Sequence, residues 1–133
     1  MLTQKNKWFL LASVTWFLLS CYGLFSEISS KHTTLLGDVM VFFHLNQTTW
    51  AIDKIAHFFV FYIQTILILH SFNPLKKLGF IYIIVCMMLW TFLSEQLQSV
   101  LTITRHKDLF DVMTDNLGIL FASVFFLYVE KNK

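Results

Sequence analysis

The clearest sign of how this chain folds lies in residues 52–72, which read IDKIAHFFVFYIQTILILHSF. The charged residues and one histidine are in the first turns, and most of the later residues are apolar. A helix of this length rises about 30 Å, which matches the hydrocarbon core of a bilayer. Asn73 and Pro74 come next, and proline disfavours helix at the residue before it and lacks an N–H group. We therefore predict a membrane-spanning helix over residues 52–72.

Three further apolar runs have the length of a span, and they cover residues 8–25, 78–98 and 110–129. Lysines precede the first run as they do in a signal peptide, but its length and the spans after it favour a retained helix. The outer loop, residues 26–51, contains an apolar stretch that is too short to cross, and we expect that stretch at the membrane interface. The predicted fold class is all-α: a single domain over residues 1–133, forming a polytopic four-helix transmembrane bundle.

The composition favours the same fold class. Of the 133 residues, 56% are hydrophobic and 14% are charged. In a soluble domain, about 45–50% of the residues are apolar and about 25% are charged. So few charges could not cover the surface of a soluble protein of this size, but a lipid-facing surface needs none. The net charge of +2 and the lack of a basic, aromatic-rich cluster exclude nucleic acid as a predicted partner.

Charge asymmetry predicts the orientation of the bundle. Four spans place both termini on one side of the membrane. That side has a single acid, Glu130, and six lysines: Lys5, Lys7, Lys76, Lys77, Lys131 and Lys133. The other side has four basic residues and seven acids. Because lysine and arginine bias short loops toward the cytoplasm, we expect both termini to be cytoplasmic.

This orientation brings separate polar residues to one outer face, where the second and fourth spans begin and the third ends. Within each helix these residues are three or four positions apart, so they share one face. Acids at membrane depth are costly unless they face the bundle interior and find partners. The sequence therefore predicts an outward-facing polar pocket. Its candidate ligand-binding residues are Asp53, Lys54, His57, Glu95, Gln98, Arg105, Asp108, Asp111 and Asp115.

Binding is the first function that such a pocket supports. Arg105 and Lys54 could hold an anionic head group, since a guanidinium binds phosphate or carboxylate by a two-pronged contact. The partner would be a membrane lipid or a lipid-linked precursor of the cell wall. The sequence does not indicate any particular protein partner. A polar network that only locks helix ends together, without a ligand, is the structural alternative.

An enzyme is the other alternative, with His57, Glu95 and Asp111 as catalytic residues. His57 would be the general base or nucleophile, with Asp53 or Glu95 orienting it, and Arg105 would stabilise negative charge developing on a phosphoryl or acyl group. His57, Glu95 and Asp111 could also hold zinc or another divalent ion. No H-E-x-x-H pattern occurs, however, so neither a metal nor another cofactor is predicted.

Three short motifs resemble those of the VanZ-like family of small bacterial membrane proteins. DKIAHF, residues 53–58, is similar to the family's D-K-x-x-H-F, and EQLQ, residues 95–98, to its E-x-x-Q. RHKDLFD, residues 105–111, is similar to R-x-x-D-x-x-D, and Gly118 fits the glycine that closes the last motif. The chain departs from the family at Asp115, where asparagine is usual.

The resemblance implies a bacterial cell-envelope protein in the inner, or cytoplasmic, membrane. The family is named for resistance to the glycopeptide antibiotic teicoplanin, but it has no settled biochemical mechanism. The resemblance therefore implies a place in the cell and a set of site residues, and it does not by itself transfer antibiotic resistance to this chain.

Overall fold

A computed structural model describes residues 3–25, 50–73, 77–101 and 108–132 of the chain. These residues form four helices, α1 (Gln4–Phe25), α2 (Trp50–Phe72), α3 (Lys77–Leu101) and α4 (Leu109–Lys131), and the described part contains no strand. The predicted all-α class is confirmed. The interfacial stretch predicted in the outer loop lies outside the described residues.

Three of the described helices are long and apolar enough to cross a membrane: Lys54–Phe72, Leu78–Leu101 and Leu109–Lys131. For α1, whose described side chains end at Gly23, the span over residues 8–25 stays a prediction. Every helix begins or ends a little outside its predicted apolar run. The reason is that hydrophobicity marks the part of a helix suited to lipid, whereas the helix itself continues until its backbone is capped.

The helix ends have identifiable caps. Asn73 follows α2 with φ at 41°, a left-handed conformation that asparagine tolerates, and its N–H donates to Leu69 O at 2.8 Å. Asp108 caps α4, because its side chain accepts a hydrogen bond of 2.8 Å from the Phe110 amide. Helix α2 therefore ends at Phe72, just before the predicted stop at Asn73.

Helix α2 is the centre of the bundle and contacts the other three described helices. Helix α1 runs antiparallel to it and is held by two polar contacts. Trp16 Nε1 donates to the carbonyl oxygen of Val60 at 3.1 Å, and Gln64 Nε2 donates to Ser13 Oγ at 3.0 Å. Since these bonds join fixed points on both helices, they set the depth at which α1 packs against α2.

Helices α2 and α4 run parallel and approach each other closely at Gly118. A Cβ atom added at Gly118 would collide with the carbonyl oxygen of Phe58 and would lie 3.1 Å from the amide nitrogen of Tyr62. The two backbones are therefore in direct contact. Ala122, one turn further along α4, is fully buried, and small residues of this kind let membrane helices approach closely.

Burial in this bundle is the reverse of that in a soluble domain. Among the described residues, more polar than apolar side chains are buried, while large apolar side chains cover the outside, such as Leu78 at 81% exposed and Val124 at 68%. An apolar cluster of Phe61, Met87 and Ile119 fills the middle of the bundle. Such an apolar outer surface is suited to contact with lipid, which is what helices able to span a membrane need.

Substituting Gly118→Ala should destabilise the protein by about 1–3 kcal/mol, because the new methyl group meets backbone atoms that cannot rotate away. Thermal unfolding of the detergent-purified protein, followed by circular dichroism, measures this effect as a lower melting temperature.

Gly23→Ala is the matched control, since a Cβ atom there would have nothing within 4 Å. It should leave stability unchanged or raise it slightly, because alanine is the better helix former. Equal melting temperatures for the two variants would contradict the close approach of α2 and α4.

Candidate functional site

Six polar side chains from three helices meet at one end of the bundle, which we call the polar end. There α2 and α4 begin and α3 ends, since α3 runs antiparallel to the other two. We name these residues the polar cluster: Lys54, His57, Glu95, Asp108, Asp111 and Asp115. All are buried except Asp108, which is partly exposed. Acidic and basic groups far apart in the sequence are therefore neighbours in the fold.

Lys54 joins the start of α2 to the start of α4. Its Nζ atom donates to Asp108 Oδ2 at 2.6 Å and also to Asp111 Oδ1. Only 10% of the lysine side chain is exposed. A buried ammonium group is tolerated where carboxylates surround it, so these two contacts explain how a charged side chain fits between largely apolar helices.

His57 pairs with Asp115. Its Nδ1 atom lies 3.0 Å from Asp115 Oδ1, and Asp115 is 1% exposed. When Nδ1 carries the proton, it donates to this carboxylate, and Nε2 is the ring nitrogen on the side of Asp111, at 3.9 Å from Asp111 Oδ1. The sequence interpretation gave the orienting role to Asp53 or Glu95, whereas the structure puts Asp115 at Nδ1.

Glu95 brings α3 to the same place. Its Oε2 atom accepts a hydrogen bond of 3.3 Å from the Asp108 amide, which ties the end of α3 to the cap of α4. One ligand atom each from His57, Glu95 and Asp111 lies within 4.8 Å of the other two. The three residues predicted as catalytic in the enzyme alternative are therefore adjacent and buried.

The other predicted pocket residues have different positions. Gln98 is buried one turn beyond Glu95, on the same side of α3. Asp53 belongs to the first turn of α2, but its side chain is outside the described part of the structure, and so is the whole of Arg105. The structure thus describes the surroundings of seven of the nine predicted residues.

The polar cluster contains more acidic than basic side chains. The carboxylates of Glu95, Asp108, Asp111 and Asp115 face one lysine and one histidine. Asp115 Oδ2 is also buried without a hydrogen-bond partner among the described residues. Buried polar atoms without a partner are uncommon in native proteins.

The protonation of Asp108 is coupled to this network. The hydrogen bond from Lys54 holds the pKa of the Asp108 carboxyl below its ordinary value, and the Phe110 amide acts in the same direction, although partial burial opposes both. Asp108 therefore stays ionised at neutral pH, where it binds Lys54 and caps α4 at the same time.

Two structural roles were not predicted from the sequence. Asp108 has the position of a helix cap, three residues before an acid in the first turn, and this pattern could have identified it. Ser13, the partner of Gln64, gives no such signal, because a single serine in an apolar run has no distinctive spacing.

No family model, no curated protein and no solved structure matches the chain.

Asp108→Asn should lower stability at neutral pH, because asparagine keeps the helix cap but loses the ion pair with Lys54. Since the pKa of Asp108 is lower in the folded state, its ionisation stabilises the fold above the unfolded-state value of about 3.9, and this contribution is lost as pH falls through the folded-state value. Melting temperatures of the wild type and the variant, measured from pH 7 to pH 3, should converge at the acidic end.

Asp108→Ala removes the cap as well, at a cost of about 0.5–2 kcal/mol. The melting temperature of Asp108→Ala should therefore stay below that of the wild type at pH 3. A wild-type advantage over Asp108→Asn that did not change with pH would contradict the assigned ion pair.

Proposed function

We propose that this chain is a VanZ-like cell-envelope protein of the bacterial inner membrane, with four spans and cytoplasmic termini. Its polar cluster would line an outward-facing pocket that binds the anionic head group of a lipid or of a lipid-linked wall precursor. The observation that carries the proposal is that three largely apolar helices bury charged groups together at one end of the bundle. Ionisable residues within membrane segments are rare and usually functional.

Packing alone is a weak reason for such a cluster. Taking charges out of water costs several kcal/mol for each ion, and apolar side chains of similar volume often give equal or greater stability. Two of the polar contacts at the interface of α1 and α2 involve only neutral groups. A cluster of four carboxylates, a lysine and a histidine is therefore better explained by a ligand.

A head group would meet complementary chemistry in this pocket. Hydroxyl or amine groups of the ligand could donate hydrogen bonds to carboxylates such as Glu95. Lys54 and Arg105 would supply positive charge for its phosphate, with arginine suited to a two-pronged contact. The acyl chains would lie against the apolar outer surface of the helices, which exposes side chains such as Leu109 and Phe110 near the polar end.

An enzyme is the second candidate, and the contact between His57 and Asp115 favours it. A carboxylate at Nδ1 fixes the imidazole ring and makes Nε2 the more basic nitrogen. His57 could then take a proton during attack on a phosphoryl or acyl group of an envelope lipid. Asp111 and Glu95, both close to His57, would complete the acid-base chemistry.

Wild-type protein purified in mild detergent should carry an anionic lipid, which native mass spectrometry would detect as a mass shift. His57→Ala and Asp111→Asn should reduce that bound fraction at least tenfold, because both side chains belong to the polar cluster. Glu130→Gln is the matched control, since it makes the same acid-to-amide change at the opposite end of α4 and should retain the lipid.

Incubation with extracted envelope lipids separates the alternatives. A new lipid product that His57→Ala fails to make would support the enzyme. If substitutions in the polar cluster lower the yield of folded protein, but the folded fraction retains the lipid, the result would support a structural network without a ligand.

Cysteine labelling tests the orientation in a background with Cys21→Ala and Cys86→Ala. Leu109 begins α4 at the polar end and is 73% exposed, while Asn132 follows α4 at the other end. A membrane-impermeant maleimide should label Leu109→Cys in intact spheroplasts, and Asn132→Cys only after permeabilisation. The reverse pattern would overturn the proposed orientation, and labelling of both in intact spheroplasts would contradict a spanning α4.

A further inference from the structure

We infer that His57, Glu95 and Asp111 form a binding site for a divalent transition-metal ion, with Asp115 as a positioning residue behind His57. In a step that rests on the proposed function, the bound ion would take a phosphate oxygen of the head group. This inference differs from the expectation drawn from the sequence, which contained no recognised metal motif.

The geometry of the three side chains is the first support. They come from three different helices, all three are buried, and one ligand atom of each lies within 4.8 Å of the others. Ligands held about 2.1 Å from a tetrahedral ion are about 3.4 Å apart. Small side-chain rotations would therefore bring the three atoms to coordinating distance without moving the helices.

Asp115 provides the second support. Histidines that bind metals usually donate their other ring N–H to a carboxylate, which fixes the ring and its tautomer. The contact of 3.0 Å between His57 Nδ1 and Asp115 Oδ1 has this form, and it leaves Nε2 on the side of Asp111. The Asp115 carboxylate is almost fully buried, so it is held in place for that role.

The charge of the site is the third support. Four carboxyl groups share the cluster with Lys54 and His57, so acidic side chains are in excess over basic ones. A divalent cation would neutralise the excess. It would also convert an acid-rich pocket into one that accepts the phosphate of an anionic head group.

Lys54 is compatible with an ion in this position. A carboxylate has two oxygens and about four acceptor sites, so Asp111 can accept a hydrogen bond from Lys54 and still bind a metal. Lys54 also holds Asp108 at 2.6 Å. It would act as a positioning residue that fixes the Asp111 carboxylate relative to His57.

The donor set indicates which ions to test. One imidazole with two carboxylates is a mixed nitrogen and oxygen site, which suits zinc and manganese. Calcium prefers sites made only of oxygen ligands. We therefore expect Zn²⁺ and Mn²⁺ to bind more tightly than Ca²⁺.

The test is isothermal titration of the full-length, chelator-treated protein in detergent with ZnCl₂ and MnCl₂. One ion should bind per chain. His57→Ala, Glu95→Gln and Asp111→Asn should weaken binding at least 100-fold, and Asp115→Asn about 10- to 100-fold, as the loss of a group that orients a ligand does. Glu130→Gln should bind like the wild type.

A folding control accompanies the titration, because cluster variants could unfold. Circular dichroism of each variant without metal checks the helix content, and bound ion should raise the melting temperature of the wild type but not of folded Glu95→Gln. Full stoichiometric binding by folded His57→Ala, or the absence of binding by the wild type, would overturn the metal site.

Lipid retention separates this inference from the proposed function. Native mass spectrometry with added phosphatidylglycerol, with and without Zn²⁺, should show retention that depends on the ion. If the protein binds metal but no lipid, the metal site holds and the head-group function fails. If the lipid binds equally well in chelator and no stoichiometric metal is found, the head-group function holds and the metal site fails. Metal binding with lipid retention independent of the ion would overturn only the bridging role.

Discussion

The backbone contact between α2 and α4 at Gly118 sets the register on which the polar cluster depends. With Gly118 against Phe58, the residues toward the polar end pair in order along two parallel helices. Asp115, three residues before Gly118, meets His57, and Asp111, four residues earlier again, meets Lys54. A larger residue at Gly118 would separate the helices and lengthen both pairs together. The close packing of α2 and α4 and the pairing of their polar side chains therefore depend on the same helix separation.

The electrostatics of the cluster depend on where it lies in the bundle. A charge between apolar helices is costly unless it finds an opposite charge or a hydrogen-bond donor. Lys54 contacts two carboxylates, and Glu95 accepts a hydrogen bond from the amide of Asp108, the residue that caps α4. Each of these contacts therefore connects α2 or α3 with the start of α4 and also compensates a buried charge. Asp115 Oδ2 has no hydrogen-bond partner among the described residues.

The sequence predicts the helices and the meeting of their polar faces, but not the individual partners. Apolar runs of span length and residues three or four apart are local signals, and alternating direction brings the start of α2 and the end of α3 to one end. Which carboxylate contacts His57 depends on the rotation and separation of neighbouring helices, which spacing within one helix does not contain. The choice of Asp115, and the pairing of Ser13 with Gln64, are properties of the packed bundle.

Helix α2 shows why the cluster suggests a function rather than packing alone. On the side that faces α1, the neutral groups of Trp16 and Gln64 provide the polar contacts, and such bonds between membrane helices contribute only about 0.6 kcal/mol on average. On the side that faces α4, Lys54 and His57 meet the carboxyl groups of Asp111 and Asp115. Taking charges out of water costs several kcal/mol for each ion, so the polar cluster is more costly than the neutral contacts with α1, and this cost supports the proposed ligand-binding function.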